Sequence, residues 1–115
     1  MIEQTVLNYL QTCFTTSAGS IPVYMEMPEE MPETFLLVEK TGGGSTNRID
    51  RATFAIQSYA PTLYEAAALN ETVKGYLDAM PDTEPVFRCK LNSDYNYTDT
   101  TLKRYRYQAV YDLTF

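Results

Sequence analysis

The sequence predicts an α+β domain in which two helices pack on one face of a five-stranded mixed or antiparallel sheet, in the order α-β-β-β-α-β-β. Two segments, near residues 2–16 and 62–80, carry apolar side chains at helical spacing. The C-terminal segments instead alternate apolar and polar side chains, as half-buried strands do. With 115 residues, the chain is long enough for a single domain spanning 1–115 and too short for two.

The first helix is predicted over about residues 2–16. Its apolar side chains recur mainly at steps of three and four and so form one stripe. Gly19 lies in the stretch that ends this helix and suits the left-handed position after a helix C-terminus. A short strand over 21–25 follows. The apolar stripe consists of Ile2, Val6, Tyr9, Leu10, Cys13 and Phe14.

The next segment, residues 26–32, is predicted to be an acidic loop. Its two prolines and three carboxylates prevent it from forming a central strand. Met25, Met27 and Met31 accompany the carboxylates, and exposed methionines often serve adaptable protein contacts. The alternative is that these methionines fold back onto the core of their own domain, and the sequence leaves both interpretations open.

A long β-hairpin is predicted from residues 34–41 and 52–59, because β-forming residues flank a glycine-rich turn. Its tip, residues 42–47, begins with three glycines and is predicted to be mobile. A phosphate-binding loop would need a helix after the glycines and a Lys-Ser or Lys-Thr pair. A strand follows here and that pair is absent, so the glycines are interpreted as a hairpin tip.

The second helix is predicted to begin at Thr62, where Thr62 and Glu65 fit a capping box. In such a box the Thr hydroxyl accepts a hydrogen bond from the N3 amide, and the Glu side chain reaches back to the Thr amide. Pro81 ends the helix, because proline cannot continue the backbone hydrogen bonding. The apolar stripe of this helix consists of Ala66, Leu69, Val73, Tyr76, Leu77 and Met80.

Two strands, over 86–92 and about 102–115, are predicted after the second helix because their apolar and polar residues alternate. Residues 93–101 connect them. This connection holds Tyr95 and Tyr97, which suit protein contacts because tyrosine combines a large apolar body with a polar tip. The side chains predicted to face the core are Phe87, Cys89 and Leu91 in the first strand, and Tyr105, Tyr107, Ala109, Tyr111, Leu113 and Phe115 in the second.

Composition disfavours several classes of chemistry. The chain has no histidine, which removes every mechanism that uses a histidine base. Two distant cysteines without histidine cannot form a structural zinc site. We therefore predict no enzymatic activity, no metal and no cofactor. Cys13 and Cys89 are predicted to be free thiols in a reducing compartment, and no apolar run approaches the length of a membrane span.

The formal net charge of −6 argues against a general nucleic-acid binder, because contacts with phosphates require a basic surface. Residues 1–41 hold six carboxylates and one base, a net charge of −5, and residues 42–85 hold six and three, a net charge of −3. Residues 86–115 hold five bases and three carboxylates, a net charge of +2. The acidic and basic parts either pair within one molecule or pair head to tail between copies.

The whole arrangement resembles the tail-terminator, or tail-completion, proteins of long-tailed bacteriophages and prophages, which are minor tail proteins. The features that carry the resemblance are a short N-terminal helix, the segment IPVYMEMPEEMPETFLLVEKTGGG, the strand RATFAIQSYA followed by the helix TLYEAAALNETVKGYL, and the final strand RYRYQAVYDLTF. The resemblance spans nearly all of residues 1–115. No catalytic motif accompanies it.

This resemblance implies a structural protein of virion assembly. Members of the family form a ring, usually of six copies, which caps the tail tube and presents a surface to the head connector or stopper protein. The implied partners are other copies of the chain, the major tail tube protein and the connector, with DNA only as passing cargo and no membrane. The implied location is the head-tail junction of the virion, after synthesis in the cytoplasm of a bacterial host.

The acidic loop and the hairpin tip are predicted to contact neighbouring subunits or the tail tube, and Arg104 and Arg106 are predicted to face an acidic neighbour. The alternative function keeps the fold and makes the chain another head-tail joining or minor capsid protein, or a small host protein-binding module. The predicted interface residues are Met25, Met27, Met31, Gly42, Gly43, Gly44, Arg48, Tyr95, Tyr97, Arg104 and Arg106.

Overall fold

The computed structural model describes residues 1–16, 19–82, 86, 88–98 and 104–115 of the chain. Its two α-helices and five-stranded mixed sheet confirm the predicted α+β class. The helices are α1 (Ile2–Cys13) and α2 (Leu63–Asp78), and a 3₁₀ helix, Met80–Asp82, follows α2. The strands are β1 (Thr15–Thr16), β2 (Gly19–Ser20), β3 (Val23–Tyr24), β4 (Phe35–Thr46), β5 (Ile49–Ala60), β6 (Arg88–Asn96) and β7 (Tyr105–Thr114).

The five-stranded sheet has the strand order β3-β4-β5-β7-β6. β3 and β4 are parallel, and the other neighbouring pairs are antiparallel. β5 and β6 therefore run in the same direction with β7 between them, and α2 lies in the connection that joins them. β1 and β2 form a separate two-residue ladder just after α1.

A hydrophobic core fills the space between the two helices and the sheet. Successive side chains of a strand point to opposite faces, so each strand gives alternate residues to this core. α1 contributes Val6 and Leu10, and α2 contributes Val73 and Leu77, all of them fully buried. The strands contribute Leu36 and Val38 from β4, Ala52, Phe54 and Ile56 from β5, and Ala109, Tyr111 and Leu113 from β7.

Both predicted apolar stripes pack against this core, but the helix ends differ from the prediction. α1 ends at Cys13 rather than near residue 16, because the chain turns at Phe14 into the β1–β2 ladder. Gly19 lies in β2 rather than directly after the helix. The N-terminus of α2 is capped as predicted: the Thr62 hydroxyl accepts a hydrogen bond from the Glu65 amide at 3.1 Å. The Glu65 carboxylate accepts from that hydroxyl at 3.2 Å instead of reaching the Thr62 amide.

The hairpin of β4 and β5 is longer than predicted. β4 continues through the three glycines, so residues 42–46 are strand rather than a loose tip. A β-bulge between Lys40 and Gly42 shifts the register with β5. The two-residue turn consists of Asn47 and Arg48, with φ angles of 52° and 65°. Positive φ at both positions is the geometry of the hairpin turns whose twist matches that of the flanking strands.

The first strand after α2 is shifted relative to the prediction over 86–92. β6 spans Arg88–Asn96, so Tyr95 lies in a strand and Tyr97 directly follows it. The prediction of a loop was therefore wrong for Tyr95, whereas Tyr97 lies outside the strand. The strand continues because β7 pairs with it along this whole length, which the polar sequence of residues 93–96 does not reveal. Phe87, predicted to face the core, lies outside the described residues.

The core-facing side chains predicted for β6 and β7 are confirmed in part. Tyr111 and Leu113 are fully buried, whereas Leu91 and Tyr105 are each 37% exposed. Leu91 precedes a bulge that shifts the register with β7, and Tyr105 lies at the end of the sheet, where β7 begins. Residues 99–103, which include part of the predicted last strand, lie outside the described part of the chain.

Candidate functional site

The face of the sheet opposite the helices begins with a small aromatic cluster. Phe35, Leu37 and Tyr59 are buried there, and Tyr24 packs against them. The rings of Phe35 and Tyr59 stack with centroids 4.4 Å apart and planes inclined by 5°. The Tyr24 ring meets the Phe35 ring edge to face at 5.9 Å. One end of this helix-free face is therefore closed by packed rings.

Six polar side chains form what we call the amide–tyrosine network, which adjoins the aromatic cluster and shares Tyr59 with it. Gln57 and Gln108 lie opposite each other on β5 and β7, and the buried Gln57 amide donates to the Gln108 carbonyl oxygen at 3.1 Å. The Gln108 amide donates to the Tyr95 hydroxyl. The Tyr59 hydroxyl donates to the Gln57 carbonyl oxygen at 3.0 Å. The members of the network are Gln57, Tyr59, Tyr95, Tyr97, Arg106 and Gln108.

Arg106 links Tyr59 and Tyr97 within the amide–tyrosine network. Its Nε donates to the Tyr97 carbonyl oxygen at 2.6 Å, and its Nη1 donates to the Tyr59 hydroxyl at 2.7 Å. The guanidinium carbon also lies 4.2 Å from the centroid of the Tyr97 ring, a cation–π contact. The side chain is thus engaged within its own chain, and the predicted contact of Arg106 with an acidic neighbour stays a prediction.

The opposite end of the same face is basic. Arg51 on β5 and Arg88 on β6 both lie in register with Thr114 on β7, which separates them, and Lys90 lies in register with Asp112. A groove of about 520 Å³ opens between these side chains. We call it the cationic groove. Besides the core residues Ala52 and Leu113, its lining consists of Ile49, Arg51, Thr53, Arg88, Lys90, Asp112 and Thr114.

The positive charge of the cationic groove is not neutralised from within the described part of the chain. Among the described residues of the lining, Asp112 is the one carboxylate, and its oxygens accept hydrogen bonds from neutral donors. These donors are the Thr53 hydroxyl at 2.8 Å and the Asn92 amide at 3.0 Å. None of the three bases in the lining forms an ion pair with a described residue. Within the described part of the chain, the groove therefore presents three cations without an ionic partner.

Ion pairs lie elsewhere on the surface. The Lys74 ammonium is 2.7 Å from the Asp94 carboxylate and 2.8 Å from that of Glu71, and these hydrogen bonds raise the pKa of Lys74. Lys40 lies 4.0 Å from Glu3 on α1. Neither lysine belongs to the cationic groove, so these pairs leave its charge unchanged.

Residues 39–51, which we call the hairpin arm, are exposed without exception. β3 pairs with β4 only at Leu36 and Leu37, so no described strand covers the outer edge of β4 beyond them. Two backbone hydrogen bonds between Asp50 and Phe115, at 3.2 and 2.9 Å, tie the base of the arm to the end of the sheet. The predicted interface residues Gly42, Gly43, Gly44 and Arg48 all lie on this arm.

Residues 25–34, which we call the acidic segment, join the end of β3 to the start of β4. Its four glutamates are exposed. Met25, Met27 and Met31 are 40%, 47% and 45% exposed, so they lie at the surface rather than in the core. The interpretation that these methionines fold back onto the core of their own domain is therefore wrong.

The remaining predicted interface residue, Arg104, lies just before β7. Its side chain is half-buried, and its Nε and Nη2 have no hydrogen-bond partner among the described residues.

The sequence analysis did not single out Arg51, Arg88 or Lys90. Alternation placed Arg88 and Lys90 on one side of a strand, but their approach to Arg51 depends on the strand order β5-β7-β6, for which the sequence carries no local signal.

Buried titratable groups lie on the helix side of the sheet. The Tyr111 hydroxyl donates to the Asp78 carboxylate at 3.0 Å, and burial together with Asp78 raises the pKa of Tyr111. Burial also raises the pKa of the Cys89 thiol to about 12, with a smaller effect of the Asp78 charge, and it raises that of Cys13. Both free cysteines thus remain neutral thiols at physiological pH, which are weak nucleophiles.

Among the described residues, no group of three or more His, Cys, Asp or Glu side chains is arranged to hold a metal ion. No helix in the same part of the chain is long and apolar enough to cross a membrane.

Comparisons with known proteins leave the family open. No protein-family model matches the chain, and no curated protein matches it significantly.

Proposed function

We propose that this chain is a structural protein of phage or prophage assembly, which caps the tail tube as a ring and joins it to the head connector. The hairpin arm is the observation that carries the proposal. A two-stranded ribbon has no core of its own and is marginally stable in water. The free edge of β4 along the arm presents unpaired backbone N–H and C=O groups, which are a template for pairing with another chain.

The other exposed features support a role in protein contacts. The acidic segment exposes three methionines, whose flexible side chains adapt to irregular partner surfaces. Tyr95 and Tyr97 are 41% and 44% exposed, and tyrosine is enriched at protein interfaces. The formal net charge of −6 keeps DNA from adhering to the surface, which suits a ring through which DNA passes.

The proposal is tested with the purified chain and the major tail tube protein encoded in the same genome. We expect electron micrographs to show rings, and to show density that caps one end of each tube. A variant in which residues 45–50 are replaced by a two-residue Asn-Gly turn keeps Arg51 and the body of the sheet and removes the tip of the arm. We expect this variant to fold and to lose capping. Tubes that remain uncapped by the intact chain contradict the proposal.

Gene order separates the proposal from its alternative. The resemblance to tail terminators leads us to expect the gene directly before that of the major tail tube protein. A gene placed among head or connector genes favours another joining or minor capsid protein, and a gene outside any phage cluster favours a host protein-binding module.

A further inference from the structure

Charge is distributed unequally between two opposite parts of the molecule. The cationic groove holds Arg51, Arg88 and Lys90 without an ionic partner among the described residues. The acidic segment holds four exposed glutamates, and none of them forms an ion pair with a described residue either. Two complementary surfaces therefore lack ionic partners among the described residues of one molecule.

Strand register places these two surfaces at opposite ends of the sheet. Phe35, which directly follows the acidic segment, pairs with Tyr59 on β5. The cationic groove lies at Arg51, at the other end of the same strand. The eight steps along the strand from Arg51 to Tyr59 span about 27 Å at about 3.4 Å per residue. The groove also lies across the sheet from β3 and β4, on β5, β7 and β6.

The acidic segment does not fill the groove of its own chain. Its ten residues are anchored at both ends, by Tyr24 in β3 and by Phe35 in β4. A loop that must return reaches about half of its extended length of about 36 Å, which is about 18 Å along the backbone. Among the described residues, no glutamate of the segment lies within ion-pair distance of a base of the groove.

We propose that the acidic segment of one copy docks in the cationic groove of the next copy, head to tail. This inference rests on the proposed function and names the contact that holds its ring together. Arginine pairs with carboxylates in bidentate geometry, and Arg51 and Arg88 flank the groove. Ile49, 39% exposed in the lining, offers an apolar surface to a methionine of the segment. Because the two surfaces differ, the contact is heterologous, and its repetition gives a closed ring or an open filament.

The first test exchanges the charges of the two surfaces. Arg88→Glu with Lys90→Glu, and Glu29→Lys with Glu30→Lys, each place like charges in the contact. We expect either pair to weaken self-association at least about tenfold in sedimentation velocity at low salt, because juxtaposed like charges repel. The combined four-substitution variant keeps the formal net charge at −6, as in the natural chain, and restores the complementarity. We expect it to assemble as the natural chain does.

A matched control separates the contact from the total charge. Gln4→Lys, Thr12→Lys, Ala68→Lys and Thr72→Lys together raise the net charge by the same amount as the reversal in the acidic segment, at four exposed positions of α1 and α2 outside both surfaces and outside the hairpin arm. We expect this variant to assemble normally. Unchanged assembly of both reversed pairs, or failure of the combined variant to recover while its circular dichroism is native, overturns the inference and leaves the proposed ring intact.

The second test does not depend on ring formation. A capped peptide of residues 25–34 is titrated into the full chain, beside a peptide that carries Glu26→Gln, Glu29→Gln, Glu30→Gln and Glu33→Gln. We expect the acidic peptide to bind at least about tenfold more tightly, and Arg88→Glu with Lys90→Glu to abolish the difference. If the chain neither forms rings nor caps tubes but binds this peptide, the inference holds and the proposed function fails. Equal binding of the two peptides, or displacement of the acidic peptide by equimolar duplex DNA, overturns the inference.

Discussion

The two ends of the helix-free face differ in how they use arginine. Arg106, at the aromatic end, donates hydrogen bonds to Tyr59 and to the Tyr97 carbonyl and lies over the Tyr97 ring. Arg88 lies at the other end of this face, and its cross-strand neighbour on β7 is Thr114. The same residue type on neighbouring strands thus stabilises the fold at one end and leaves a free charge at the other. The role of each arginine depends on its cross-strand neighbours, because these either provide hydrogen-bond acceptors or do not.

The largest effect on stability is expected from Arg106→Ala. The substitution removes the hydrogen bonds to the Tyr59 hydroxyl, the Gln57 carbonyl oxygen and the Tyr97 carbonyl oxygen, and the cation–π contacts with the Tyr59 and Tyr97 rings. We expect the free energy of unfolding to fall by about 2–4 kcal/mol. Urea denaturation followed by circular dichroism measures the change. If Arg106→Ala lowered the free energy of unfolding by less than Arg88→Ala does, the difference between the two ends would be contradicted.

The next effect in size is expected from Gln108→Ala, which leaves the buried Gln57 amide without its acceptor. An unsatisfied buried donor costs about 1–3 kcal/mol. Thr53→Ala is the matched control at the cationic end, because it removes a side-chain hydrogen bond to Asp112 at an exposed site. We expect its cost to be about 0.5 kcal/mol. Thermal unfolding of both variants measures the two losses of stability. Equal losses would contradict the difference between the two ends.

A smaller effect of opposite sign is expected from Arg48→Gly in the turn of the hairpin arm. Arg48 has a positive φ of 65°, and glycine adopts this conformation without a steric cost. Asn-Gly is the preferred pair for such a turn. We expect a gain of about 0.5–1 kcal/mol in the free energy of unfolding. Arg48→Ala keeps the Cβ atom and should show no gain, so similar melting temperatures for the two variants would speak against strain at this position.

The smallest effect on stability is expected from Arg88→Ala combined with Lys90→Ala. Both side chains are exposed and unpaired in the described part of the chain, so their removal should change the free energy of unfolding by less than about 0.5 kcal/mol. The same variant should weaken binding of the acidic peptide. Substantial destabilisation in urea would mean that these bases belong to the fold, as Arg106 does.

Local patterns predicted most of the fold and little of the candidate site. The stripes of α1 and α2 and the cap at Thr62 depend on residues close in sequence, so periodicity and spacing were enough. The continuation of β4 through the glycines depends on β5, and that of β6 through Tyr95 depends on β7. Such tertiary pairing overrides weak β-propensity.

The interface predictions show the same limit. Arg106 was predicted to face an acidic neighbour, but its side-chain acceptors come from β5 and from Tyr97, which follows β6. The cationic groove was missed because Arg51 stands 37 positions before Arg88 in the chain and meets it only through the strand order. Charge counting did identify the unequal ends of the chain, although not which bases remain free.

The turn at Asn47 and Arg48 has a consequence for the order of folding. It closes the β4–β5 ladder over two residues, so this pairing carries a small entropic cost of loop closure. Hairpins of this kind form in about 1–10 μs. The β5–β7 ladder must first bring together segments separated by the whole of α2 and β6. We therefore expect the hairpin to form early and to serve as the template on which β7 and then the helices assemble.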